Sequence, residues 1–281
     1  MVHWLRFERG GQTGFGTLKD GTITVHTGDM FAAPRPTGEA IALASVTVLT
    51  PCAPTKIIAL WNNLRALGAK LGVAAPDEPL YLLKSIGSAL PHDGVIVRPA
   101  SYPGKVVFEG ELGIVIGRTC SNASEAEAEA AIFGYTCIND VTAAEIITKN
   151  PTFPQWARAK SYDTFGAFGP VIATGLDPMG LSIKTVLNGE ERQNYPVTDM
   201  YFAPRALVAM LSRDMTLLPG DLIMCGTSVG VGVMKDAQNV VEVTIDGIGT
   251  LRNTFAAQRG SEGQVIPLAF CSYPNRLAGC L

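Results

Sequence analysis

The stretch Lys105-Val106-Val107-Phe108-Glu109-Gly110-Glu111-Leu112-Gly113-Ile114-Val115-Ile116-Gly117 sets the reading of the whole chain. Its alternation predicts a strand over Val106–Ile116, with Val106, Phe108, Leu112, Ile114 and Ile116 on one apolar face. Glu109 and Glu111 then share the opposite face, about 6.5–7 Å apart along the strand. Two carboxylates on one side of an aliphatic strand repel each other and lose hydration. A cation, a lysine or an arginine has to compensate them. The competing reading is an edge strand with two solvated acids.

Three neighbouring segments bear on that choice. Residues 132–142 read as a strand over Phe133–Ile138 that ends in Asn139-Asp140, and strand ends often carry function. An Asx-turn or a helix cap is the alternative for Asp140. Glu109, Glu111 and Asp140 on adjacent strands make a hard oxygen site suited to Mg²⁺, Mn²⁺ or Ca²⁺; zinc fits less well without His or Cys. Lys160, in Trp156-Ala-Arg158-Ala-Lys160, would offset the acids and bind an anionic substrate, with a surface loop lysine as the alternative. In residues 218–232 a strand over Asp221–Cys225 runs into a glycine-rich loop, Gly226-Thr227-Ser-Val-Gly230-Val-Gly232. Its N–H groups can hold a carboxylate. Gly-Lys-Ser/Thr is absent, so it is no P-loop, and a plain bulged turn is the alternative.

Working outward, strands are expected at Val171–Thr174, Ile183–Leu187, Val240–Ile245 and Thr250–Asn253, with hairpin turns at Asn188-Gly189 and Asp246-Gly247. A helix capped at Asn122 runs into the Ala/Glu-rich segment, and another covers Met200–Leu211. Leu60, Leu64, Leu67 and Leu71 follow a helical spacing, which predicts a short helix beside a cleft. Residues 1 to about 50 alternate in short Gly- and Thr-rich runs, a small β-region with tight turns. The prolines at 51 and 54 mark a boundary. The expected division is an N-terminal region over 1–53, a catalytic domain over 54–258 and a tail over 259–281.

The 281 residues, 47% hydrophobic and 17% charged, are enough to bury a large core without staples. A net charge of −3 excludes a chain-wide basic surface for nucleic acid. No apolar run reaches about 18 residues, so no membrane span is expected. Met1–Arg6 does not open a secretory signal. The six cysteines are irregularly spaced with no C-x-x-C pair, which reads as reduced thiols in a cytoplasmic protein, mostly small core residues, rather than a zinc or disulfide framework. His92, in a Pro-His-Asp-Gly turn, reads as a loop residue with catalysis as the lesser alternative.

Taken in order, Phe108–Gly117, Gly134–Thr142, Arg158–Phe165, Gly169-Pro170, Val186–Glu190, Pro219–Asp221, Gly226-Thr227 with Gly230-Val-Gly232, and Gly247–Gly249 resemble the fumarylacetoacetate hydrolase family over roughly residues 55–255. The resemblance implies an α+β fold of mixed β-roll/β-sandwich type, a homodimer and a divalent metal, usually Mg²⁺ or Mn²⁺. By motif, Glu109, Glu111 and Asp140 match the family's metal-binding acids and Lys160 its active-site lysine. Thr227, with Gly226, matches its Gly-Thr loop near metal and substrate. It implies action on a small 2-oxo acid or 1,3-dicarbonyl compound, for example in aromatic-compound breakdown. C–C hydrolysis through a metal-stabilised enolate is the first expectation. Isomerisation or decarboxylation of an unsaturated 2-oxo diacid, or a homologue that only binds metal or oxo acid, are the alternatives.

Two departures bear on that order. Many members carry Asn-Tyr-x-x-His-x-x-Glu, whose His–Glu pair activates water on a mobile lid; here the stretch is Asn63 to Lys70, with Leu67 and Lys70 in those places. An Arg often found after the Asn-Asp motif is Ala144. Arg65 and Lys70 are read either as contacts for a second substrate carboxylate or as helix-surface charges.

Overall fold

The computed structural model describes residues 1–256; the tail expected over 259–281 lies outside the described residues. The chain opens with β1 (Val2–Arg9), β2 (Gln12–Lys19), β3 (Thr22–Thr27), β4 (Arg35–Ala42) and β5 (Thr47–Val48). Beyond the prolines follow β6 (Ile57–Trp61), α1 (Arg65–Leu71), β7 (Leu80–Lys84), β8 (Ala89–Leu90), β9 (Val95–Val97), β10 (Val106–Phe108), β11 (Gly110–Ile116), α2 (Glu125–Ala131), β12 (Ile132–Asp140), β13 (Thr142–Ala143), α3 (Ala144–Ile147) and α4 (Trp156–Lys160). The remainder is β14 (Gly166–Thr174), β15 (Ser182–Leu187), β16 (Glu190–Pro196), α5 (Pro204–Asp214), β17 (Leu222–Met224), β18 (Gly232–Val233), β19 (Gln238–Ile245) and β20 (Gly249–Ala256).

A large sheet runs in the order β4-β3-β2-β1-β14-β12-β11-β17-β6-β7. The small β8, which follows β7, pairs with β14 and so brings the far end of the sheet round toward its middle. A five-stranded sheet, β16-β15-β19-β20-β9, packs on one face of this roll. Leu112 and Ile114 meet Ile183, Val243, Leu251 and Phe255 in the core between them. The other face of the roll buries Ile57, Ala59, Val115, Ile138, Phe168, Leu222 and Met224. The α+β, mixed β-roll and sandwich architecture read from the sequence is thus the observed one. The N-terminal meander continues the same sheet through β1–β14 pairing.

Register places the site. Glu111 pairs with Ile138, and Gly113 with both Thr136 and Met224. Asp140 pairs with Gly166, Met224 with Ala59, and Ile57 with Lys84. Paired residues point to the same side and side chains alternate. Glu111, Asp140, Lys84 and Trp61 therefore share the inner face of the roll.

The sequence reading needs three corrections. The single strand expected over Val106–Ile116 is two strands in two sheets, broken at Glu109. The Asn139 side chain accepts the Glu109 N–H (3.1 Å), and the Glu109 carbonyl accepts the Asp140 N–H (2.9 Å). Second, the leucine strip at 60–71 is not one helix. Leu60 lies in β6, the chain turns at Asn62 (φ 54°), and helix starts only at Arg65 and ends at Gly72 (φ 66°). Third, the expected Asn122 cap is Ser124, which closes a capping box with Glu127, and the Met200–Leu211 helix is Pro204–Asp214.

Candidate metal centre

Each functional side chain is set by a local device. Gly110 has to be glycine, because a Cβ there would meet Thr185 Oγ1 at 1.9 Å. That close approach seats the β10–β11 break against the second sheet. Gly226 sits at φ 90° just after β17, and continuing the β11–β17 register brings it opposite Glu111. Its N–H donates to Glu111 Oε2 at 2.8 Å. Lys160 closes the short helix α4, which packs against α3, β7 and β13.

Glu109, Glu111 and Asp140 each offer a carboxylate oxygen, and the three oxygens lie within 4.8 Å of one another. Glu111 and Asp140 are buried, whereas 16% of the Glu109 side chain is exposed. The solvated-edge reading therefore fails: β11 is interior and buried along its whole length. Lys160 Nζ donates to Glu109 Oε2 (2.7 Å), Asp140 Oδ2 (2.6 Å) and the Thr142 hydroxyl (2.8 Å). The surface-loop reading of Lys160 fails with it, since the residue is 3% exposed.

The sequence reading missed Lys84. This buried ammonium donates to Asp140 Oδ1 and to the Phe165 carbonyl at 2.8 Å. A lysine closing the apolar run Leu80-Tyr-Leu-Leu-Lys84 was the available signal. Thr142 also escaped notice; its hydroxyl lies 3.0 Å from Glu109 Oε1 and in reach of Lys160.

The charges explain the protonation states. Burial drives the Asp140 carboxyl up, but Lys160 and Lys84 outweigh it and hold it below its ordinary value. Burial raises Glu109 more than Lys160 lowers it. Glu111 is raised well above the carboxylate range, by burial first and by Asp140 next. Lys160 is raised, because Asp140, Glu109 and Glu111 together outweigh its burial, so it stays an ammonium donor. Burial lowers Lys84 despite Asp140.

This donor set fits a hard divalent cation. Glu111 Oε1 is buried with no hydrogen-bond partner, an orphan that a cation would satisfy. With all three acids ionised, three carboxylates against two ammonium groups leave one negative charge in excess, and the Glu109 and Asp140 oxygens that accept from lysine each keep a second lone pair. An all-oxygen set without imidazole or thiolate suits Mg²⁺ or Mn²⁺.

The Gly-Thr loop is placed beside the acids, but its hydrogen bonds point inward. The Thr227 hydroxyl donates to the Gly110 carbonyl (2.9 Å) and accepts from Gln193 Nε2 (2.8 Å). Gly226 spends its N–H on Glu111. Gln193 and Tyr195, on β16, hold Gly110 from its other side.

The remaining candidates lie elsewhere. Leu67 packs against the core and Lys70 is exposed. Arg65 lies over the Tyr201 ring at 4.6 Å. His92 Nδ1 accepts the Arg252 N–H, in a turn on the second sheet. Cys52, Cys120, Cys137 and Cys225 are buried free thiols, and burial pushes Cys52 and Cys137 up to about 12, where they are inert. Among the described residues no helix is long and apolar enough to cross a membrane.

The model of the fumarylacetoacetate (FAA) hydrolase C-terminal domain matches residues 56–256, and an Rv2993c-like N-terminal model matches residues 2–51. The oxaloacetate tautomerase YisK of Bacillus subtilis is 34% identical over 71% of this chain and 69% of its own length. The crystal structure of 2-hydroxyhepta-2,4-diene-1,7-dioate isomerase from Mycobacterium marinum superposes with a TM-score of 0.84 at 34% identity, covering 92% of this chain and 100% of that one. The 5-carboxymethyl-2-hydroxymuconate delta-isomerase from Mycobacterium smegmatis gives 0.83 at 36% identity, covering 91% and 100%.

Proposed function

The chain belongs to the fumarylacetoacetate hydrolase family, and from that premise we propose that it is a divalent-metal-dependent enzyme that enolises a small 2-oxo acid, as a tautomerase or isomerase. One observation carries the reading. A complete acid–lysine cluster is kept while the water-activating positions hold half-buried Leu67, packed against the core, and exposed Lys70. Proton transfer needs an electron sink; C–C hydrolysis needs an activated water as well.

Glu109, Glu111 and Asp140 would hold Mg²⁺ or Mn²⁺. When bound, the ion supplies Lewis acidity to the 2-oxo acid's carboxylate and ketone oxygens. Lys160 keeps its proton; its three N–H groups go to Glu109, Asp140 and Thr142, so it acts as a fixed positive charge beside the developing enolate oxygen, an electrostatic contribution of about 3–4 kcal/mol to barrier lowering. The C3–H bond breaks, its electron pair becomes the C2=C3 bond, and the carbonyl π pair moves onto oxygen. The proton leaves to solvent at the open side of the cluster, where Glu109 is the exposed acid. Its return to oxygen or to a conjugated carbon completes tautomerisation or isomerisation. Gly226 and Thr227 brace Glu111 and Gly110, and so fix the substrate side of the centre. YisK and the two isomerases carry names that describe this class of reaction, which supports the reading.

We further propose a homodimer. Edge strand β7 exposes Tyr81 and Leu83 on one face, with Ile86 just beyond it, apolar side chains unusual to leave in water. A solution mass of one chain would exclude it.

The test is deuterium exchange at C3 of oxaloacetate and 2-oxobutyrate in D2O, followed by NMR with and without Mg²⁺ or Mn²⁺. Metal-dependent exchange that is lost in Lys160→Ala is expected. Cleavage of an acylpyruvate at a comparable rate would move the assignment to C–C hydrolysis, for which the same enolate is the leaving group. No exchange and no cleavage by a folded, metal-loaded sample would leave a binding protein.

A further inference from the structure

Trp61 and Trp156 form a pair that neither the fold nor the acid cluster requires. Their ring centroids lie 5.5 Å apart with the planes at 50°. Both are only partly buried, unlike the packing aromatics Phe108, Phe165 and Phe168. The part of each indole left open is flat apolar surface that a ligand can cover.

Each tryptophan is tied to one half of the centre. Trp156 opens α4 and Lys160 ends it; four residues apart on one helical turn, they share a face. Trp61 ends β6. The β6–β17 register pairs Ala59 with Met224, so Trp61 falls level with Gly226, whose N–H holds Glu111. A Cβ built on Gly226 would lie 3.4 Å from both the Leu60 carbonyl and Asn63 Cβ, which keeps this end of β6 against the loop. Trp61 also lies on the same sheet face as Glu111, Asp140 and Lys84 by the strand registers. The two indoles thus stand together at the rim between the lysine-bearing helix and the glutamate-holding loop.

Most of the charges nearby are committed, and Arg158 on α4 is exposed and bonded only to Gln155. Lys84 and Lys160 are bound to carboxylates, Ala144 brings no charge, and Arg65 lies flat over Tyr201. A second substrate carboxylate would meet only Arg158, which is exposed to water, whereas a flat apolar group meets two indoles. Resting on the enolisation reading above, we propose that Trp61 and Trp156 are the walls of a distal subsite that takes the aryl end of an aryl-substituted 2-oxo acid. This differs from the two mycobacterial isomerases, one named for a dioate and the other for a carboxymethyl compound.

The experiment compares C3 deuterium exchange of phenylpyruvate and 2-oxobutyrate by the full chain with Mg²⁺, in wild type, Trp61→Ala and Trp156→Ala. The alanine variants should lose about tenfold or more in kcat/KM on phenylpyruvate, mainly through KM, and less than about threefold on 2-oxobutyrate. Trp61→Phe and Trp156→Phe should keep most of the aryl preference. Should an alanine variant fail to fold, Trp61→Leu and Trp156→Leu keep apolar volume without a flat face and should show the same selective loss. Equal losses on both substrates, or none on phenylpyruvate, would overturn the subsite. If wild type exchanges neither compound, enolisation fails, and calorimetric binding judges the subsite alone. Tighter binding of phenylpyruvate than of 2-oxobutyrate, abolished in Trp61→Ala, supports it; equal affinities in wild type overturn it.

Discussion

Glu111 has one oxygen on the Gly226 N–H and the other unpartnered inside the protein. Burial first and Asp140 next push its pKa well above the ordinary range. An unfolded glutamate ionises near 4.3. Above that value, and up to the raised native pKa, the folded state binds more protons than the unfolded one. Metal-free stability from this group therefore falls as pH rises through that window. Glu111→Gln keeps an acceptor for Gly226 and removes the titration. The melting-temperature difference between variant and wild type should shift in the variant's favour as pH rises above the unfolded value. Mg²⁺ should then stabilise wild type and leave the variant unchanged. A difference independent of both pH and Mg²⁺ would contradict the role given to Glu111. Asp140 behaves oppositely: with its pKa lowered by two lysines, its contribution is present above the unfolded value and lost as pH falls through the native one. Of these residues the acids and Lys160 were legible, because clustered acids on apolar strands demand a cation. Lys84 was not, because its partner Asp140 lies 56 residues away and its own strand reads as ordinary core.

At the level of elements, the Pro219-Gly220-Asp221 turn does more than connect. Asp221 is fully buried and accepts from the Leu218 N–H (2.7 Å), the Thr55 N–H (3.2 Å) and hydroxyl (2.6 Å), and the Lys56 N–H (3.1 Å), besides pairing with the Lys56 ammonium. It joins the start of β17 to the start of β6, the two strands whose far ends carry Gly226 and Trp61. Asp221→Ala leaves several of these donors unpaired and should cost about 3–5 kcal/mol in chemical denaturation. A loss below about 1 kcal/mol would show that the turn holds without it. Hairpins were the most legible elements: Asn188-Gly189 and Asp246-Gly247 sit where the chain reverses between β15 and β16 and between β19 and β20. The leucine strip misled only at its first member: Leu64, Leu67 and Leu71 belong to α1 and its cap, whereas Leu60 lies in a buried strand and falls at a helical spacing from them by coincidence; Asn62, in left-handed backbone, was the missed break. The β10–β11 break was illegible because its cause is the Asn139 side chain on another strand.

At the scale of the molecule, the roll brings together what the sequence separates. Lys84 near one end of the large sheet meets Asp140 near its middle only because β8 returns to β14. The sandwich partner contributes Thr185, Gln193 and Tyr195, which clamp Gly110 and so aim Glu109 and Glu111 at one point. Alternation on single strands shows which face a residue occupies, but not the curvature that makes distant faces meet. The centre is thus a product of the complete fold, and its occupation by a hard cation is what the chemistry depends on. Anomalous diffraction from a crystal soaked with Mn²⁺ tests this most directly. One strong peak within bonding distance of carboxylate oxygens from Glu109, Glu111 and Asp140 is expected; a peak elsewhere, or none there at saturating Mn²⁺, would contradict it.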